Sequence, residues 1–462
     1  MRHRLAASVS ALALAAVGAV GSSTSADALP GTWTSPNVEH LLNIPDAAAV
    51  SAKFVNDADG KARWMYLSTW QGLSIYDVSN PALPLLTGKL PLPNFENEDI
   101  DGNANIAIVS TDGLTGGVVY IIDTTNKRLP VIKSTYVAEE GAGHTSNCVD
   151  NCERYIYTAT GERLNVVDIA DPANPKITLV DWDPAVGPAH DVDQDEAGIV
   201  WMTGYNGGAG FAIHPLTEGV SDAIRLKTAG ASPTNPVKIT DMVVNGVNVG
   251  SDPAVNDFIL HNSKRELGTS YTQTRGASRI GSGGVLAVTE EDYVPNCEGQ
   301  GRFHTFDATG SVTKGEPLEL LDTFKLAEGT LDPVAGERAL GTVFCSAHWF
   351  TVKDNIVAIG WYGAGTRFLD ISDPRDIRQV GYAVSVDQQT WASYWVPGSD
   401  NIVYSVDVER GLDVLRFTPE PDRKQHKAPA PKRTKTSFLA PNPALLGGLA
   451  YACPIKPAEP LG

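Results

Sequence analysis

The stretch that decides the fold reads GLSIYDVSNP, residues 72–81. Leu73, Ile75 and Val78 are apolar residues that suit a strand. Asp77, Ser79, Asn80 and Pro81 close turns, through short side-chain hydrogen bonds or a fixed φ. The stretch therefore reads as a strand with an aspartate at its exit. Copies follow downstream: VVYIIDTTNKRLP (118–130), RLNVVDIADPANP (163–175), RFLDISDPRDI (367–377) and the more degenerate GLDVLRFTPEP (411–421). Asp77 and Asp123 are 46 residues apart, and Asp123 and Asp168 are 45 apart. One β-rich unit per roughly 40–45 residues is the period of four-stranded propeller blades.

VVDI at 166–169 and FLDI at 368–371 resemble the consensus strand of the LVIVD-repeat family. That resemblance implies a β-propeller over most of the chain between about residues 50 and 417. Aligned on the aspartate, the repeats divide into seven units that start near Val50, Phe95, His144, His190, Phe258, Cys345 and Trp391. The expected fold is all-β, a seven-bladed propeller. Six or eight blades are the alternatives, because unit five is padded at residues 229–256, 266–283 and 290–301. Unit seven stops after its third strand, and VEHLLNIP (38–45) can supply the fourth, closing the ring from the N-terminus.

The rest of the composition agrees with this. The 44 glycines and 30 prolines suit short strands and tight turns. Arg2 and Arg4, the apolar run 5–20 and the small residues before Ala28 read as a secretory signal peptide over 1–28. The expected organisation is that signal, a propeller over 29–418, and a disordered Pro/Lys-rich linker with a short apolar tail over 419–462. The protein is expected outside the cell as a monomer, with no transmembrane segment once the signal is removed. Export permits disulfides. Cys148 and Cys152 can staple a hairpin, Cys297 and Cys345 are the best remaining pair by position, and Cys453 is left over. The net charge is −18, and the stretch after Phe417 is basic, so the body is more acidic still. Such a body repels phosphate backbones, which excludes nucleic acid as a partner.

Four histidines share one phase: His144, His190, His261 and His348 each open the inner strand of a unit. Lys53 takes that phase in unit one, and Glu98 or Asp99 in unit two. Imidazoles converging on a propeller axis can hold Zn, Cu or Fe, with Glu98 as a further ligand. The competing reading ties each histidine to its own blade's aspartate, as 24 residues from His144 to Asp168 and 22 from His348 to Asp370 would allow. Loops expected at the same mouth carry Trp70, Tyr205, Asn206, Glu290, Trp361 and Tyr362, a set suited to ligand binding. Trp70 and Trp361 equally suit packing between blades. The acidic runs at Asp57 and Asp59, at Asp99 and Asp101, and at Asp191, Asp193 and Asp195 lack the glycine and distal glutamate of a helix-flanked calcium loop. They read as hairpin turns. Two functions follow: a binding or interaction module for a small ligand or an extracellular protein, with its site at the histidine-bearing mouth, or a metal-dependent, oxidoreductase-like enzyme with a metal in the channel.

Overall fold

A computed structural model of the chain describes residues 32–46, 48–57, 59–93, 99–111, 117–137, 144–160, 163–179, 189–195, 200–204, 212–213, 247–248, 259–266, 280–292, 297, 301–310, 318–327, 344–385 and 388–428. The expected signal peptide, Glu98, Tyr205, Asn206, Cys453 and the chain beyond 428 lie outside the described residues.

Apart from a 3-10 turn at Asp150–Cys152, the named elements are strands. After β1 (Thr32–Thr34) and β2 (Val38–Ile44), the first blade runs β3 (Ala49–Asn56), β4 (Ala62–Thr69), β5 (Gly72–Asp77) and β6 (Leu85–Pro91). The second is β7 (Asp101–Gly102), β8 (Ile106–Thr111), β9 (Val118–Asp123) and β10 (Val131–Val137). The third is β11 (Thr145–Val149), β12 (Tyr155–Thr160), β13 (Arg163–Asp168) and β14 (Lys176–Leu179). The fourth repeat contributes the hairpin β15 (Ala189–Gln194) and β16 (Val200–Gly204), followed by the short pair β17 (Ala212–Ile213) and β18 (Val247–Asn248). Then come β19 (Ile259–Arg265), β20 (Val285–Glu291), β21 (Phe303–Asp307) and β22 (Glu319–Phe324). The next blade is β23 (Phe350–Lys353), β24 (Ile356–Trp361), β25 (Gly365–Asp370) and β26 (Arg378–Ser385). The last is β27 (Thr390–Trp395), β28 (Ile402–Asp407) and β29 (Gly411–Phe417).

This is an all-β propeller in which every blade is an antiparallel meander. Among the described residues six sheets hold four or five strands, so seven complete blades are not supported. At the fourth repeat the two-stranded β15–β16 hairpin packs between β11 and β12 on one side and β19 on the other.

Strand β2 pairs antiparallel with β29, from Val38 opposite Phe417 to Ile44 opposite Leu412, and supplies the last blade's missing edge. Burial alone would raise the Asp413 carboxyl. His40, whose Nε2 lies 2.7 Å from Asp413 Oδ1, and Arg410 outweigh burial and hold it low, and the His40 contact adds a buried hydrogen bond to the closure. A second N-terminal strand was not anticipated. β1 pairs with β26, Trp33 opposite Val384, and makes that sheet five-stranded. The first residues of the expected linker also lie on this blade. The Arg423 guanidinium reaches Asp370 at 2.6 Å, and Gln379 donates to the His426 carbonyl.

The core lies in layers between blades, because each sheet buries both faces against its neighbours. One layer joins Leu73, Ile75 and Tyr66 of the first blade to Ala107, Val109 and Ile122 of the second. Another joins Met65 and Leu67 to Tyr404, Val406 and Leu412 across the closure. The aspartate that ends the third strand braces the exit turn. In five blades its Oδ1 accepts the backbone N–H two residues on, at Asp77, Asp123, Asp168, Asp307 and Asp370. Gly72 opens its strand at φ +124°, with Leu90 O only 2.2 Å from where a Cβ would stand. The backbone of β6 fills that space, so only glycine fits.

Both cysteine pairs are disulfides. Their Cα atoms are 4.5 Å apart at Cys148–Cys152 and 4.9 Å apart at Cys297–Cys345. No helix among the described residues is long and apolar enough to cross a membrane.

Candidate metal centre

The four in-phase histidines meet. Successive ring centroids are 4.5 Å apart for His144 and His190, 4.4 Å for His190 and His261, and 3.9 Å for His261 and His348. All four are buried, with at most 1% of any one exposed. The rival pairing with each blade's aspartate does not fit the register. Asp168 pairs with Tyr155 at the Val149 end of its blade, opposite the Thr145 end where His144 sits, and its carboxylate accepts from Arg154. Asp370 pairs with Ile356 beside Lys353, likewise at the far end from His348.

Two of the four rings are oriented by main-chain carbonyls. His190 Nδ1 lies 3.1 Å from His261 O, and His348 Nδ1 lies 2.7 Å from Trp391 O. A carbonyl oxygen only accepts, so each Nδ1 carries the hydrogen and each neutral ring presents a lone pair at Nε2. The carbonyls of His190 and His261 are themselves held by the hydroxyls of Thr145 and Thr203. His144 Nε2 stands 3.0 Å from His190 Nε2. Two nitrogens on one tetrahedral ion, each about 2.0–2.1 Å from it, stand about 3.3 Å apart, so this spacing is close to that of a shared ligand pair.

A carboxylate completes the cluster. Glu291 has its Oε2 at 3.8 Å from His261 Nε2 and its Oε1 at 3.8 Å from His348 Nε2, and it accepts the Tyr362 phenol. Ligand atoms of His190, His261 and Glu291 lie within 4.8 Å of one another. Two imidazoles and a carboxylate, fully buried, form a donor set for a divalent transition metal. Trp391 and Tyr362 wall the site beside His348, with ring centroids 5.1 and 4.7 Å away.

Several expectations change. Glu290 pairs away from the histidine cluster. Neighbouring strand residues point to opposite faces, and Glu290 turns into its blade, where Arg302 and His304 bind it at 2.7 and 2.9 Å. Burial alone would raise its carboxyl, but His304 and Arg302 outweigh burial and hold it at about 2. Its neighbour Glu291 takes the place at the site. Trp361 packs in the layer between two blades, edge-on to Phe324, and Trp70 packs with Val50, Phe344 and Trp391. Tyr362 alone of the described loop set reaches the site. Lys53 is out of phase with the histidines. It lies at the opposite end of the inner strands, 2.5 Å from Asp101.

The acidic runs divide. Asp57 does brace a hairpin turn, its Oδ1 accepting from the N–H groups of Asp59 and Lys61. Asp101, Asp191 and Asp193 instead belong to inner strands. Asp193 meets Lys264 at 2.8 Å, and Asp195 meets Arg265 at 2.6 Å. Lys264 and Arg265 are neighbours in β19 and leave it on opposite faces, yet each meets a carboxylate of the preceding repeat, a pairing that a turn assignment within one repeat could not foresee.

Fold and site together define an all-β propeller with a histidine–carboxylate cluster where its inner strands converge. The LVIVD repeat model matches residues 63–90 and 144–179, the first and third blades. The chain thus carries LVIVD repeats at these two stretches. Among solved structures it is similar to the β-propeller domain of Myceliophteria thermophila Cps50 (Swd1), at 11% identity and a TM-score of 0.51, covering 82% of this chain and 99% of that one. It also matches Kluyveromyces lactis Hsv2p at 11% identity and a TM-score of 0.45, covering 81% of this chain and 94% of that one. At such identity the first likeness speaks to the fold alone. No curated protein matches the chain in sequence.

Proposed function

We propose that this propeller binds one transition-metal ion through His190, His261 and Glu291, with His144 and His348 flanking it, and that it works as a metal-dependent, oxidoreductase-like enzyme outside the cell. The observation that carries the reading is the convergence of buried imidazoles, those of His190 and His348 oriented by carbonyl-bound Nδ1 hydrogens, on one buried carboxylate. Three protein ligands leave coordination positions for a small substrate, which is the habit of catalytic rather than structural sites. The two disulfides suit an oxidising compartment. We also infer a ring of seven units, since one cavity is lined by inner-strand residues of all seven repeats, among them Lys53, Asp101, Asn147, Asp193, Lys264, Thr351 and Tyr394.

The test is titration of chelator-treated protein with Zn²⁺, Cu²⁺ and, without oxygen, Fe²⁺. Tryptophan emission reports binding, because Trp391 adjoins His348. One equivalent is expected to bind, with His190→Ala and Glu291→Gln each weakening it by roughly a hundredfold. Absence of saturable one-site binding for every ion would overturn the reading.

A second reading, an extracellular interaction module, has one observation in its favour. Leu83, Leu85 and Leu86 on one blade and Leu129, Val131 and Ile132 on the next are 45–68% exposed. Apolar outer edges on adjacent blades suit contact with another protein.

A further inference from the structure

The opposite end of the inner strands holds a second feature that the metal reading does not use. It is a cavity of about 580 Å³, within the usual range for small-molecule sites. Its lining is divided. One arc carries both signs of charge, as the pairs Lys53–Asp101 at 2.5 Å and Lys264–Asp193 at 2.8 Å. The other arc is aromatic, with Phe54, Trp349 and Tyr394, and the Lys264 ammonium lies 5.1 Å from the Trp349 ring centre. Asp101 is anchored by the Cys148 N–H at 2.7 Å, so it is a fixed acceptor. The Lys53 side chain is 38% exposed, so its ammonium is reachable from solvent and can swing.

We propose that this cavity binds a small zwitterionic amino compound with an apolar or aromatic side group, such as a free apolar amino acid. The Lys53–Asp101 pair opens, Lys53 taking the ligand carboxylate and Asp101 its ammonium, while the side group lies against the aromatic arc. Charge balance selects this class. A zwitterion replaces each partner of the opened pair with an equal charge. A lone anion drawn to Lys53 leaves the buried Asp101 uncompensated, which is costly, and a lone cation on Asp101 forgoes the Lys53 contact. The aromatic arc then supplies contact area and a cation–π face beside the ammonium.

The experiment is isothermal titration calorimetry on the full chain with L-phenylalanine, N-acetyl-L-phenylalanine and phenethylamine, in metal-stripped and metal-loaded protein. L-Phenylalanine is expected to saturate one site with the same affinity in both states. The two single-charge analogues are expected to bind at least about tenfold more weakly, because a site built for both groups rejects a ligand that lacks one. Lys53→Met, with an unchanged melting temperature, is expected to lose about tenfold in affinity for L-phenylalanine and nothing in metal stoichiometry. The proposal is overturned if L-phenylalanine gives no saturable heat at about 20 mM, weaker than any specific small-ligand site of this volume should be. It is equally overturned if phenethylamine or the N-acetyl compound matches L-phenylalanine, or if folded Lys53→Met binds as wild type does. Should Lys53→Met fail to fold, the analogue comparison on the wild-type chain decides. Loss of metal binding with retained amino-acid binding would strike the proposed function and leave this inference standing.

Discussion

Replacing Glu290 by glutamine separates a structural acid from a functional one a single residue away. The carboxylate is fully buried and lies 2.7 Å from Arg302 Nε and 2.9 Å from His304 Nε2. Burial alone would raise its pKa, but the charge and hydrogen bond of His304, with those of Arg302, carry it from an ordinary 4.5 down to about 2. At about 1.4 kcal/mol per tenfold, that difference corresponds to roughly 3 kcal/mol of native-state stabilisation. The folded value lies below the unfolded one, so the contribution is complete above about pH 4.5 and is lost as the pH falls towards 2. Glu290→Gln should therefore lose roughly 3 kcal/mol in urea melts at pH 7, with the gap to wild type closing to below about 1 kcal/mol near pH 2.5. Because Glu290 faces its blade and Glu291 the cluster, the folded variant should bind metal as wild type does. A stability gap that stayed constant from pH 7 to pH 2.5, or a specific loss of metal affinity, would refute the assignment of the two acids.

Two further outcomes follow from the framework. Gly72→Ala places a methyl 2.2 Å from Leu90 O at φ +124°, so a loss of roughly 2–4 kcal/mol is expected as a lowered urea midpoint with unchanged slope. The Cys297–Cys345 bridge spans a sequence separation of 48 and the Cys148–Cys152 bridge one of 4. On loop-closure entropy, Cys345→Ser should cost about 4 kcal/mol and Cys152→Ser about 2 kcal/mol. Equal losses from the two serine variants would argue against that origin.

Much of the architecture was legible because it repeats. The strand at 72–81 served as a ruler, and its recurring aspartate, which braces a turn in five blades, aligned the histidines of distant repeats. Four side chains at one phase of successive inner strands must approach one another once the strands surround an axis, so their convergence could be read before any coordinates. Closure by residues 38–45 was readable for a similar reason, since an incomplete last blade needs an edge. Unit four was less legible. Its hairpin carries the inner strand, but only two strands of a blade stand there among the described residues.

What the sequence by itself determined is therefore the periodic part: the all-β meander, the propeller, and the phase of His144, His190, His261 and His348. Tertiary structure alone decided which of two adjacent glutamates enters the site, because strand side chains alternate faces and a one-residue change of register exchanges Glu290 for Glu291. It also decided that Asp191 and Asp193 lie in an inner strand and that Lys53 stands at the far mouth beside Asp101. Those placements depend on contacts between repeats, and a period measured along the chain carries no information about which neighbour's cation a given carboxylate will meet.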